Sequence, residues 1–238
     1  MTRQTSKGTC NLCHSTMSKA GMTKHLETCL QKTIAAEVGS GGQQKVRKVK
    51  VYQLLVDGRG DPSYWMHLQV TTGTTLATLD SFLRGIWLEC CGHLSEFEIG
   101  GERYIVDAGI HDDWGMSGKS MRVRLDKVFS PGQICTYEYD FGTTTELRLK
   151  VIAEQEVAAK VKAIEVLARN EPPPILCGVC GQRATQVCSQ CAYETTGWLC
   201  DACTQNHECG EEMMLPVVNS PRTGMCGYTG ADPAYSVW

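Results

Sequence analysis

No stretch of this 238-residue chain approaches the ~20 apolar residues of a membrane span, and its first ten residues, MTRQTSKGTC, hold no apolar signal core. The expectation is a soluble, cytoplasmic protein with no membrane partner. Residues 1–50 contain no aromatic side chain, which removes the platforms on which single-stranded bases stack. Residues 171–238 carry two basic residues, Arg183 and Arg222, against seven acids, a poor composition for binding phosphate. Global disorder is excluded by a 42% hydrophobic and 21% charged composition. The middle of the chain has no Cys-x-x-Cys pair.

Such pairs are concentrated at the two ends. Among fourteen cysteines, four pairs stand two residues apart: Cys10/Cys13, Cys177/Cys180, Cys188/Cys191 and Cys200/Cys203. Without a secretion signal they read as metal sites rather than disulfides. Thiolates at this spacing grip one Zn²⁺ through a tight knuckle, and two pairs complete a tetrahedron. A redox motif would stand alone rather than recur.

Charge divides the chain. Residues 1–50 carry nine Lys/Arg against Glu27 and Glu37, a net +7; residues 51–170 and 171–238 are each at −5. Glu37-Val-Gly-Ser-Gly-Gly-Gln-Gln44 has the composition of a flexible connector, and Pro172-Pro-Pro174 that of a stiff spacer. Three units follow: a zinc finger over 1–36, a central domain over 46–170 and a cysteine-rich module over 176–238, joined by linkers at 37–45 and 171–175. There is no internal repeat beyond the cysteine pairs.

The central unit reads mainly as strand. Tyr64, Met66, Leu68 and Val70 alternate with Trp65, His67 and Gln69. Leu76, Leu79, Phe82, Leu83, Ile86, Trp87 and Cys90 recur at helical spacing, with Thr75 as N-cap and Gly92 past the end. Gly100-Gly101 suits a hairpin. Met121, Val123 and Leu125 alternate, as do Cys135, Tyr137, Tyr139 and Phe141, then Leu147, Leu149 and Val151. Residues 153–170 fit either a strand or a helix. The fold class expected is α+β, a mainly antiparallel, β-grasp-like sheet with one main helix, flanked by two small zinc-binding modules.

The segments TTLATLDSFLRGIW, GHLSEFEIGGERY and YEYDFGTTTEL resemble the plasmid pRiA-type open-reading-frame-three-like family over roughly residues 47–155. The most specific element is Tyr139-Asp140-Phe141-Gly142. The broader pattern has an acidic residue and a tryptophan soon after that glycine. Here Thr143, Thr144 and Thr145 follow, so a site built on those groups is not carried over. The resemblance implies a fold rather than an activity. Catalysis would draw on His93, Asp107, His111, Asp112, Asp113 and Asp140, whose spacing alone does not bring them together; Asp140 reads as the exposed face of a strand. Cys90, Cys91 and Cys135 read as core thiols.

The N-terminal ligands are Cys10-x2-Cys13-x11-His25-x3-Cys29. His25 and Cys29 share a helix face, and Met22 and Leu26 supply apolar contacts. The pattern resembles a CCHC-type zinc finger. The C-terminal run is Cys177-x2-Cys180-x7-Cys188-x2-Cys191-x8-Cys200-x2-Cys203-x3-His207-x-Cys209, with Cys226 beyond. Its short spacers favour a cross-brace: Cys177, Cys180, Cys200 and Cys203 on one ion, Cys188, Cys191 and His207 on the other, completed by Cys209 or Cys226. A sequential arrangement stays open. The order resembles B-box or MYND-type modules, which implies protein interaction.

About three zinc ions per chain are expected, in a non-enzymatic adaptor or regulator that binds another protein. The alternative is a nucleic-acid-binding regulator using Lys19, Lys24, Lys32, Lys45, Arg47, Lys48 and Lys50 within residues 1–50. A third reading is a metal-dependent hydrolase centred on His93, His111 and Asp140.

Overall fold

The computed structural model describes residues 6–40, 48–106, 118–158 and 161–235. Extended segments dominate because β-branched and aromatic residues alternate through the middle of the chain. In chain order the strands are β1 (Lys7–Cys10), β2 (Thr16–Ser18), β3 (Lys48–Gly58), β4 (Trp65–Thr71), β5 (Ser95–Ile99), β6 (Glu102–Ile105), β7 (Lys119–Ser120), β8 (Ile134–Tyr139), β9 (Thr145–Ala158) and β10 (Ile164–Asn170). They form one sheet in the order β2-β1-β10-β4-β3-β9-β8-β5-β6-β7, antiparallel except for the β6–β7 pair. The fold is α+β in this coarse sense, with few helices around a large sheet. Within the stretch that fits either element, β9 continues through Ala158 and β10 runs over Ile164–Asn170, so its described elements are strands.

Helix α2 (Leu76–Leu83) runs into a π-helical turn, Arg84–Leu88. Thr75 caps it, its Oγ1 accepting from the Thr78 N–H at 3.2 Å. The Leu76 and Ala77 N–H groups donate to the carbonyls of Val123 and Met121. The alternation at Met121, Val123 and Leu125 therefore marks an extended segment that satisfies a helix start; it is not a ladder strand. Leu76, Leu79, Phe82, Leu83, Ile86 and Trp87 pack on Leu54, Val56, Met66, Leu68, Val70, Phe97, Tyr137, Leu147 and Leu149 to make the main core. Inside it, Asp80 accepts from the Ser95 hydroxyl at 2.6 Å and the Tyr137 hydroxyl at 2.7 Å, tying helix to sheet. Gly100 and Gly101 both take positive φ, 61° and 83°, as the β5–β6 hairpin requires.

The opposite sheet face is covered from the N-terminus. Helix α1 (Lys19–Ser40) continues into the segment whose composition predicts a linker. Its Met22, Leu26 and Leu30, four residues apart, bury against Trp65, Leu167 and Ala168. The N-terminal segment thus adds two strands to the central sheet edge as well as a helix to its face. Strand β4 is buried on both sides for this reason, although its alternation suggests one wet face. Lys19 Nζ pairs with the buried Asp57 at 2.8 Å, Trp65 Nε1 donates to Ser6 Oγ at 2.7 Å, and Thr23 Oγ1 lies 3.2 Å from His67 Nε2.

Burial, helped by Lys19, pushes the His67 pKa down to about 4. An unfolded histidine takes its proton near pH 6.5. The unfolded state therefore binds the extra proton between these values, and stability falls as pH drops from 6.5 toward 4, by up to about 3 kcal/mol. An NMR titration checks this: the His67 ring is expected to stay neutral below pH 5, and a midpoint near 6.5 would contradict the burial.

Candidate metal centres

After Asn170 the chain leaves the large sheet. Strands β11 (Gln186–Cys188), β12 (Trp198–Leu199) and β13 (Met214–Pro216) form a small second sheet in the order β12-β11-β13. Each cysteine pair closes a tight turn: the Gly181 N–H donates to the Cys177 carbonyl, Cys191 to Cys188, and Cys203 to Cys200. Helix α3 (Asp201–Thr204) is one turn long and carries Cys203. The buried apolar content is small: Leu199 clusters with Cys177 and Cys200, and Ala184, Val187 and Cys188 are buried nearby. So little apolar surface cannot hold a fold by itself.

Two donor sets converge here. Cys177, Cys180, Cys200 and Cys203 form one, and Cys188, Cys191, His207 and Cys209 the other, with all ligand atoms of each set within 4.8 Å of one another. This is the interleaved grouping; the sequential one does not occur. Cys180 and Cys200 Sγ are 3.6 Å apart, and Cys191 and Cys209 Sγ 3.7 Å. A tetrahedral ion with Zn–S bonds of about 2.3 Å has S···S edges of about 3.8 Å, so the spacing fits. Burial raises the Cys177 thiol, but the Cys180, Cys200 and Val179 backbone N–H groups outweigh it and bring it to about 6. Cys203, by contrast, is pushed up to about 12 by hydrogen bonds with Cys180 and Cys200. Neighbouring thiols resist ionising together, and a divalent cation at their centre removes that resistance.

The N-terminal set obeys the same rule. Cys10 and Cys13 lie at the end of β1 and in the turn after it; His25 and Cys29 come from α1, and their ligand atoms lie within 4.8 Å. Cys13 Sγ is 3.2 Å from His25 Nε2. The Ser15 side chain and backbone bring Cys13 down to about 6, whereas burial and then Cys13 push Cys29 up to about 12. His14, beside the knuckle, is exposed.

Cys226 is elsewhere. Cys209 stands beside His207, and the closing segment returns to the central sheet. There Cys226 meets Cys90, Cys91 and His93 in a fourth set within 4.8 Å. This corrects Cys226 as a ligand of the C-terminal module, and Cys91, which is exposed, as a core thiol; Cys90 packs against the main core as well as joining this set, and Cys135 is buried, which pushes it up to about 12. No local spacing signals this group, because its members lie one, two and more than a hundred residues apart.

Asp140 is also not on an exposed face. It is buried in a left-handed turn at φ 66°. Its Oδ1 accepts from the Gly142 and Thr143 N–H groups, and its Oδ2 pairs with the buried Arg222 at 2.6 Å. Burial pushes this carboxyl up, but Arg222, those N–H groups and His93 outweigh it and hold it below the usual carboxylate range. Arg222 also donates to the Thr143 carbonyl and Thr145 Oγ1. The threonines that follow Gly142 thus anchor the C-terminal segment. Of the hydrolase candidates, His93 Nε2 lies 3.5 Å from Asp140; Asp107, His111, Asp112 and Asp113 are outside the described residues.

The family model described as plasmid pRiA4b ORF-3-like protein matches residues 50–187, more than half of the chain. The chain belongs to this family. The match begins in β3, covers the large sheet apart from β1 and β2, and runs through Cys177 and Cys180 to β11, beyond the stretch that carries the sequence resemblance. No curated protein matches the chain. Among solved structures it is similar to a protein of unknown function, MM3350, from Methanosarcina mazei Go1. The two are 21% identical over 51% of this chain and 70% of that one, with a TM-score of 0.45. Among the described residues no helix is long and apolar enough to cross a membrane.

Gly178 tests the interleaved module without touching a ligand. A Cβ there would lie 1.9 Å from the Thr195 carbonyl oxygen, so Gly178→Ala is expected to open the module at a cost of about 1–3 kcal/mol. Alkylation of Cys177, Cys180, Cys200 and Cys203, read by mass spectrometry, should rise over the unaltered protein; equal protection would contradict the packing.

Proposed function

We propose that the protein is a non-enzymatic, zinc-binding adaptor or regulator in which three zinc ions hold the terminal modules and the C-terminal module binds another protein. The carrying observation is that each of the three terminal donor sets supplies four Cys or His ligands. A catalytic zinc keeps one position open for water or substrate, whereas a structural zinc is closed. The finger is of CCHC type and the C-terminal module of the cross-brace type.

Protein contact is favoured by the surface of that module. Leu176, Val179 and Tyr193 are 60%, 66% and 77% exposed. Leu176, Ala192, Tyr193 and Trp198 line an open groove of about 420 Å³. Apolar and aromatic side chains displayed beside a rigid knuckle suit a peptide or protein surface. The nucleic-acid alternative draws less support. Lys19 is engaged with Asp57, Lys48 with Glu156 and Lys50 with Glu154; Lys45 and Arg47 lie outside the described residues.

Binding of the zinc-loaded protein to mixed DNA and RNA pools across a salt series separates the readings. The adaptor predicts no salt-sensitive binding, and a protein partner whose capture is lost in a Leu176→Asp, Tyr193→Ser variant of unchanged zinc content. Nucleic-acid affinity that falls steeply with salt and disappears in Lys24→Glu, Lys32→Glu would overturn it.

A further inference from the structure

The fourth donor set lies outside both terminal modules. Cys90 and Cys91 follow the π-helical turn Arg84–Leu88. Gly92 takes φ 77°, which turns the chain so that His93 faces back toward the two thiols. Cys226 arrives from the other end of the chain, in a segment already fastened to the ORF-3-like sheet. In that segment Ser220 Oγ donates to the Trp87 carbonyl at 2.6 Å, and Arg222 is fully buried beside Asp140. Cys226 itself adopts φ 47°, in the left-handed region that non-glycine residues rarely enter. Such a conformation persists where the surroundings over-determine it, which is characteristic of binding sites.

The distances fit the edges of a tetrahedron, with all four ligand atoms within 4.8 Å of one another. Cys91 Sγ lies 3.6 Å from both Cys90 Sγ and Cys226 Sγ. His93 Nε2 lies 2.9 Å from Cys91 Sγ and 3.2 Å from Cys226 Sγ. These match the edges in the three terminal sets. Neither Cys91 nor Cys226 is buried, so packing does not account for their meeting. Arg222 donates to Cys90 Sγ at 3.4 Å as well as to Asp140. Its positive charge is where a site of three thiolates, one imidazole and one divalent ion, net −1, needs it. Three sulfurs and a nitrogen at tetrahedral spacing select zinc among common divalent ions.

We propose that Cys90, Cys91, His93 and Cys226 hold a fourth zinc ion, which clasps the C-terminal segment to the ORF-3-like domain. The clasp joins positions more than 130 residues apart and places its metal against the Asp140–Arg222 pair. It is independent of the three zincs of the adaptor reading: losing one leaves the others intact.

Zinc counting on the full-length protein, by mass spectrometry of the metal and of the native protein, tests this directly. Four zincs per chain are expected, and three in Cys226→Ser and in Cys91→Ser. In Cys226→Ser, hydrogen exchange should rise at least tenfold across residues 217–228 while residues 177–209 keep their protection. Four zincs in both variants would overturn the ligand assignment. Three zincs in the unaltered protein, with Cys91 and Cys226 alkylated without chelator or joined as a disulfide, would overturn the clasp and leave the adaptor reading standing. A count below three would instead defeat that reading. Should a variant lose more than one zinc, alkylation of the unaltered protein decides: protection of Cys91 and Cys226 until chelator is added supports the clasp.

Discussion

Thiolates brought within van der Waals contact repel one another unless a cation lies between them. Among the described residues four clusters impose that constraint, each with its donor atoms inside 4.8 Å. The pattern of acidity follows from it. One thiol in a set is brought down by backbone N–H groups or a hydroxyl, as in Cys177 and Cys13, while a neighbour such as Cys203 or Cys29 is pushed to about 12. A divalent ion turns this mutual opposition into binding, and in modules with little core that binding is the folding free energy. The C-terminal module, whose small core gathers Leu199 with two cysteines, illustrates the dependence most clearly.

The large sheet has a complementary need. Its central strands bury side chains on both faces, yet among the described residues the ORF-3-like region supplies one α-helix, α2. The remaining cover comes from the chain ends. Helix α1 lays Met22, Leu26 and Leu30 over Trp65, and the C-terminal segment sets Arg222 against Asp140, Thr143 and Thr145. An unpaired Asp140 at this depth would cost several kcal/mol, roughly 3–5 by comparison with other buried pairs. The Cys/His clusters therefore sit on the same elements that complete the domain, which places the peripheral sites beside the contacts on which central stability rests.

Much of this was legible in residue order. Thr75 announces the start of α2, Gly100-Gly101 the hairpin, and the alternation at Tyr137, Leu147 and Leu149 the central ladder, since each rests on local backbone chemistry. The interleaving of cysteine pairs was favoured by the short spacers, although residue order left sequential grouping open. What stayed hidden depends on contacts between distant segments. Strand β4 looks half-exposed until α1 covers His67. Asp140 looks like a strand's wet face until Arg222 arrives from 82 residues away. Cys90, Cys91 and Cys226 carry no spacing rule because the chain's return path, rather than a knuckle, brings them together.

The central claim is that the metal ions are closed, structural centres. Zinc-edge X-ray absorption of the purified protein tests it most directly. Across the four clusters the donors number thirteen sulfurs and three nitrogens, so the account predicts a shell dominated by sulfur at about 2.3 Å with a minor nitrogen contribution. An oxygen shell near 2.0 Å, displaced by added anions, would reveal an open coordination position and contradict the account.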